Sequence, residues 1–250
     1  MTAADTPAVE LRHVAKSFGT RRVLDDVCLV VPQGRAICIL GRSGTGKSVM
    51  LKHIIGLMQP DSGNVFVQGR DVTLMDRREL SRTRQQIGLL FQHAALFDSI
   101  SVGENVAFPL RRHSTMSNVE IRDRAEHLLA QVQLVGEYDK MPADLSGGMR
   151  KRAGLARALA LEPAIVLADE PSAGLDPVTA AEIDRLLVEL NDRAGTTLVV
   201  VTHNIPSARV IGDELVFLHE GRIIAQGTAE ALDGSDVPLV RQFMQSEGAG

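Results

Sequence analysis

The sequence predicts an α/β fold, and three observations carry that reading. Residues 36–40, 164–168 and 197–201 are short, nearly continuous apolar runs, the composition of parallel strands covered by helices on both faces. Segments of helical period lie between them. Turn residues punctuate further β-rich runs at 9–14, 27–31, 64–68 and 87–91, with Gly19, Pro32-Gln33-Gly34 and Asp61-Ser62-Gly63 as the breaks.

Taken in order, the runs 9–14, 27–31 and 36–40 open the chain as strands. In 47–57, Met50, Leu51, Ile54 and Ile55 repeat at helical spacing, so the run 36–40 leads through a glycine turn into a helix. The middle third is helical over about 93–160. Its clearest element is 119–135, where Ile121, Ala125, Leu128, Leu129, Val132 and Val135 share one face behind the capping box Ser117-x-x-Glu120. Asp176 as N-cap and Pro177 at the first helical position then open a helix with the stripe Ile183, Leu186, Leu187 and Leu190. Residues 214–219 and 222–226 around Glu220-Gly221 read as a hairpin, and the last dozen or so residues as a loose tail.

Lysine plus arginine (27) against aspartate plus glutamate (31) leaves a net charge of −4, so no overall positive field draws the chain to nucleic acid or anionic lipid. The two cysteines, Cys28 and Cys38, lie in apolar runs and are expected as small buried thiols in a reduced, cytosolic compartment. The first seven residues carry neither a basic region nor an apolar one, and no uncharged apolar stretch approaches the ~18 residues of a spanning helix. Any membrane role is expected to be peripheral. Three basic clusters, Arg77-Arg78, Arg111-Arg112 and Arg150-Lys151-Arg152, are expected as solvated faces.

The chemistry begins at Gly41-Arg42-Ser43-Gly44-Thr45-Gly46-Lys47-Ser48, which fits G-x-x-x-x-G-K-[ST] directly after a strand and at the start of a helix. The glycines let the backbone curl so that successive N–H groups point at phosphate oxygens, aided by the positive end of the helix. Lys47 is placed to contact the β and γ phosphates and Ser48 to ligate Mg²⁺, with Val49 also against the nucleotide. Asp169 and Glu170 end the apolar run 164–168, where open α/β sheets put ligands. Asp169 suits the Mg²⁺ shell, and Glu170 suits a general base or a water-orienting group. His203 follows the run 197–201 and could contact the γ phosphate; alone, such a histidine is more often structural.

Leu145-Ser146-Gly147-Gly148-Met149 resembles the signature motif of ABC ATPases, in that family's order between phosphate loop and acidic strand. Gln92 is similar to its Q-loop residue, Ser172-Ala173-Gly174-Leu175-Asp176 to its D-loop, and Phe18 to the aromatic that stacks on adenine, where the family more often has tyrosine. A core phenylalanine and a plain N-cap are the competing readings of Phe18 and Asp176. The resemblance covers residues 8–232. It implies a P-loop NTPase core, with a RecA-like mostly parallel sheet and an antiparallel β subdomain (8–92 and 161–232), an inserted helical subdomain (93–160) and a C-terminal tail (233–250). It further implies ATP and Mg²⁺ as cofactors and catalytic roles for Glu170, His203, Gln92 and Lys47, with Gln92 also near the metal. A homodimer follows, in which Ser146, Gly147, Gly148 and Asp176 face the nucleotide of the second subunit.

Met149 in place of the commoner glutamine resembles the subgroup serving MCE-type lipid transporters, the Mla phospholipid system among them. So do Phe91-Gln92-His93-Ala94-Ala95-Leu96-Phe97, Asn105-Val106-Ala107-Phe108-Pro109-Leu110 and Val240-Arg241-Gln242-Phe243. That likeness implies an integral membrane permease, an MCE-domain periplasmic lipid-binding subunit, a small cytoplasmic accessory subunit and a place on the cytoplasmic face of the inner membrane. Ala94, Ala95, Leu96 and Phe97 are then candidates for the permease dock, with a core cluster as the competing reading. A small-solute importer is the first alternative; Met149 and Phe108-Pro109-Leu110 weigh against it. A soluble ABC protein acting on ribosomes or DNA is the second, and a chain of 250 residues has no room for two cassettes or a long coiled coil. A module that binds nucleotide without hydrolysis is the third, opposed by Glu170 and His203.

Overall fold

The alternation of side chains along strand β3 (Ala36–Leu40) decides the architecture. All five residues are buried, with Ala36, Cys38 and Leu40 in one apolar core and Ile37 and Ile39 in the other. Successive side chains of a strand point to opposite faces, so this strand is covered on both. The same division holds in β7 (Ile165–Asp169) and β8 (Thr197–Thr202): Val166, Ala168, Leu198 and Val200 face one core, Ile165, Leu167, Val199 and Val201 the other. The computed structural model describes residues 6–246.

These strands lie in a six-stranded sheet with β6 (Ile87–Leu90), β9 (Glu214–His219) and β10 (Arg222–Gly227), in the order β10-β9-β3-β8-β7-β6. Every pairing in it is parallel except β9 with β10, the hairpin expected from Glu220-Gly221. The fold is therefore α/β, as the apolar runs predict. A second, antiparallel sheet holds β1 (Val9–Phe18), β2 (Arg21–Val31), β4 (Ser62–Val67) and β5 (Arg70–Asp71), ordered β2-β1-β4-β5. It shares one core with helix α1 (Lys47–Ile54), while α2 (Arg77–Gln85) leads into β6 behind a capping box of Asp76 and Glu79 that the sequence reading does not include.

On the other face lie α3 (Val102–His113), α4 (Asn118–Gln131) and α5 (Gly147–Ala158), with a 3₁₀ turn at Pro142–Asp144 before α5. The Ser117–Glu120 capping box forms as expected, with both reciprocal hydrogen bonds in place. Helix α6 (Pro177–Ala194) starts on the predicted Asp176 cap and Pro177, and α7 (Ile205–Ile211) and α8 (Ala229–Asp233) complete the layer with α9 (Pro238–Gln245).

Three expectations are corrected. The loose tail is instead the helix α9 as far as Gln245: Val240 and Met244 are buried, and the Phe243 ring packs edge-on against Phe217 with centroids 4.7 Å apart. Residues 247–250 lie outside the described residues. Cys38 is buried but Cys28 is exposed, because Val27, Leu29 and Val31 take the inward positions of β2 and leave Cys28 and Val30 outside. Cys28 lies at a bulge, where His13 adopts the left-handed conformation (φ 51°) and donates its N–H to the Cys28 sulfur at 3.3 Å. The cluster Arg150-Lys151-Arg152 is not a solvated face: Lys151 is only 5% exposed, and Arg152 pairs with Glu182.

Candidate functional site

The carboxyl ends of β3, β7 and β8 meet at one cavity of about 560 Å³, as open parallel sheets require of a ligand site. From β3 the chain turns through the loop 41–48 into α1. Gly41 and Gly46 have φ of 156° and 108°, and added Cβ atoms would lie 2.4 Å from the Leu218 carbonyl oxygen and 2.8 Å from the Val23 carbonyl oxygen. Only glycine fits both. Arg42, Ser43, Gly44, Gly46, Lys47, Ser48 and Val49 border the cavity. Gly41 is buried and does not line it, and the Thr45 hydroxyl donates to the Arg42 carbonyl at 2.9 Å. Arg21, absent from the sequence reading, donates to the Gly44 carbonyl at 3.1 Å from the rim.

The Lys47 ammonium is buried and donates to the Gly41 carbonyl at 2.6 Å and the Arg42 carbonyl at 3.2 Å, with the Glu170 carboxylate 3.5 Å away. Burial lowers its pKa from the ordinary lysine value, while Glu170 opposes the shift. At the next position the Ser48 hydroxyl donates to Asp169 at 2.9 Å. Burial pushes the Asp169 carboxyl up from the usual aspartate value, against that hydrogen bond. A hydroxyl and a carboxylate, two hard oxygen donors in contact, fit a Mg²⁺ ion.

Glu170 is held from three sides. Its Oε2 accepts from the Thr202 hydroxyl at 3.1 Å and the His203 N–H at 3.3 Å, and lies 2.9 Å from His203 Nδ1. A carboxylate only accepts, so Nδ1 carries the proton of that bond. Thr202 is a second residue absent from the sequence reading; its place at the end of the run before His203 was the available sign. Glu170 itself sits in the left-handed region, φ 48°. His203, Gln92 and Phe18 all border the cavity. Phe18 is 47% exposed there, which removes the core reading. Phe243 and Ser246 of the C-terminal segment also border it.

The remaining predicted residues are not at this cavity. Ser146 and Gly147 are exposed at the N-terminus of α5, where the Ser146 hydroxyl accepts from the Met149 N–H at 3.2 Å; Gly148 is buried. Gly147 borders a separate hollow of about 460 Å³ with Gln92, Lys151 and Gly174. The Asp176 carboxylate is engaged at its own helix, accepting from the N–H groups of Val178 and Thr179 and the Thr179 hydroxyl at 3.1, 3.0 and 2.6 Å. Of the proposed dock, Ala94 is buried, while Phe97 and Phe108, their rings 5.0 Å apart, line a groove of about 470 Å³ with Phe91 and Pro109.

A phosphate-binding loop after β3, and a hydroxyl–carboxylate pair for a divalent ion and a held glutamate at the end of β7, with β8 between the two strands, define a P-loop ATPase. The chain belongs to the ABC transporter family, whose model matches residues 24–173. It is 44% identical over 243 residues, 97% of this chain and 68% of the relative, to the probable ribonucleotide transport ATP-binding protein mkl of Mycobacterium tuberculosis. It is 39% identical over 242 residues to the intermembrane phospholipid transport system ATP-binding protein MlaF of Escherichia coli K12, covering 97% of this chain and 90% of that one. Among solved structures, an ATP-binding cassette captured as a dimer after hydrolysis, bound to ADP and Pi, superposes with a TM-score of 0.83. That cassette is 36% identical, and the match covers 88% of this chain and 98% of the cassette. Among the described residues no helix is long and apolar enough to cross a membrane.

Proposed function

We propose that this chain is the ATP-hydrolysing subunit of a transporter that moves phospholipid between the inner and outer membranes, acting as a homodimer on the cytoplasmic face of the inner membrane. The observation that carries the catalytic half is Glu170, fixed by Thr202 and His203 on one oxygen and facing Lys47 with the other. ATP lays its phosphates along residues 41–48, and Lys47 exchanges its carbonyl partners for the β and γ oxygens. Phe18 stacks on adenine. Ser48 and Asp169, with Gln92 nearby, would hold Mg²⁺, which would supply positive charge against the phosphates. Glu170 orients or deprotonates the attacking water, and His203 lies beside the γ phosphate.

Ser146, Gly147, Gly148 and Asp176 stand apart from this cavity, which supports a second subunit whose nucleotide they meet; the captured cassette dimer supports the same arrangement. The partition into 8–92 with 161–232, a helical 93–160 and a terminal 233–250 belongs to this reading. The groove beside Phe91, Phe97 and Phe108 receives the permease, with Ala95 at its edge and Ala94 beneath the surface. Arg157 fixes that edge by donating to the carbonyls of Ala94 and Ala95, both at 2.7 Å.

For cargo, the near-complete overlap with MlaF and the Met149 and Phe108-Pro109-Leu110 segments favour phospholipid over the ribonucleotide in the mkl name. An MCE-domain subunit and a small accessory subunit complete the assembly. The test is to isolate the chain with its permease from detergent-solubilised membranes and identify what co-purifies by mass spectrometry. Enriched phospholipid with an MCE-domain protein is expected; a solute-binding protein or bound ribonucleotide, without lipid enrichment, overturns the cargo.

A further inference from the structure

Lys151 lies one turn into α5, nearly removed from solvent, and makes no ion pair among the described residues. Its ammonium donates instead to the main-chain carbonyl oxygen of Glu170, at 2.8 Å. An ammonium taken out of water is costly unless its donors are used, and here burial holds its pKa down at about 8. A buried lysine spent on one peptide carbonyl calls for a reason, and the carbonyl supplies it.

Glu170 is a side-chain-bearing residue in the left-handed region, φ 48°, and it precedes Pro171, which disfavours helical backbone in the residue before it. Such a conformation persists only where its surroundings over-determine it. Three hydrogen bonds do so. The Glu170 N–H donates to the Val201 carbonyl at 2.8 Å, and the Glu170 carbonyl accepts from the Ala173 N–H at 3.2 Å and from Lys151. Two of these come from the sheet and the local turn. The third comes from α5, the helix whose first residues carry the signature motif.

We propose that Lys151 is a positioning residue for hydrolysis: from the signature helix it holds the Glu170 main chain in its left-handed turn, so that Glu170 is aimed when α5 engages the nucleotide of the second subunit. This rests on the dimeric reading above. One rigid helix thereby touches two reactions, the partner's phosphates at its end and its own chain's glutamate one turn later. Misplacing a reacting group by about 1 Å can cost on the order of a hundredfold in rate, which sets the scale.

The experiment uses the chain assembled with its permease and compares Lys151→Met, Lys151→Arg and Glu170→Gln with the parent. Lys151→Met is expected to lower kcat by roughly 10- to 100-fold with KM for ATP within twofold. Lys151→Arg, which keeps the donors, is expected to restore at least a third of the rate, and adding Lys151→Met to Glu170→Gln to cost nothing further. A parental kcat in Lys151→Met, or a rise in KM matching the fall in kcat, overturns the proposal. If thermal melting shows Lys151→Met to be poorly folded, Lys151→Gln takes its place and must show a loss confined to kcat; loss of ATP affinity overturns the role. A fully active Glu170→Gln protein overturns the reading of the site itself. An inactive one beside a fully active Lys151→Met overturns only the part given to Lys151.

Discussion

Replacing Glu170 by glutamine separates binding from turnover, and the geometry sets how far apart they fall. Oε2 accepts from Thr202 and from both His203 groups, so the amide oxygen takes that place. The amide NH₂ then faces the Lys47 ammonium in the position of Oε1, 3.5 Å away, a donor against a donor. Losing that contact costs the empty protein about 1 kcal/mol. ATP draws Lys47 onto its own phosphates and recovers the loss, so affinity for ATP is expected between unchanged and about fivefold tighter. Turnover loses the base, worth about 10²- to 10⁴-fold, or about 3–5 kcal/mol of barrier. Phosphate release by the assembled transporter and titration with a fluorescent ATP analogue measure the two. Turnover within tenfold of the parent, or affinity weakened tenfold, refutes the reasoning.

Two further expectations concern the scaffold. Gly103 opens α3 beneath the Tyr138 ring, where an added Cβ would lie 2.2 Å from ring atoms; Arg122 covers the ring from above at 4.2 Å, so Gly103→Ala is expected to lose about 2 kcal/mol despite alanine's helix propensity, read as a fall in urea midpoint. Asp184 on α6 is buried with one oxygen unpartnered, and burial raises its pKa from the usual aspartate value. A raised folded value means that its contribution to stability is fully present below the unfolded pKa and is lost as pH rises through the folded one. Asp184→Asn is therefore expected to raise the melting temperature by about 2–4 °C at pH 7, about 1 kcal/mol, and by nothing near pH 3; an equal gain at both pH values contradicts it.

What the sequence disclosed of the site was what chemistry requires to be contiguous. The loop 41–48, Asp169 and Glu170 are each confined to a few adjacent residues at a strand end, so their spacing alone places them. The parallel strands and the caps at Ser117 and Asp176 were equally readable, since both are local rules. Properties that depend on what lies opposite were not. The run 27–31 is apolar throughout, and nothing in it says that the face bearing Cys28 meets water. Lys151 sits between two arginines and reads as solvated, because a charge carries no mark of the distant carbonyl, that of Glu170, which it meets in the fold. In α9 the signs were present, Pro238 followed by Leu239, Val240, Phe243 and Met244 at helical spacing, but the small polar residues after them masked the pattern. The left-handed turn at Glu170 runs against its own proline neighbour, as strain at a working site does.

Phe18 stands near the beginning of the chain and Phe243 near its end, yet both frame the doorway of the cavity proposed to take the fuel. Whatever grips the closing helix therefore has a hand on that doorway, without touching the glycine loop or the acidic strand. A dye attached at Ser246 would sit on its threshold and report, by its brightness, whether a molecule is inside.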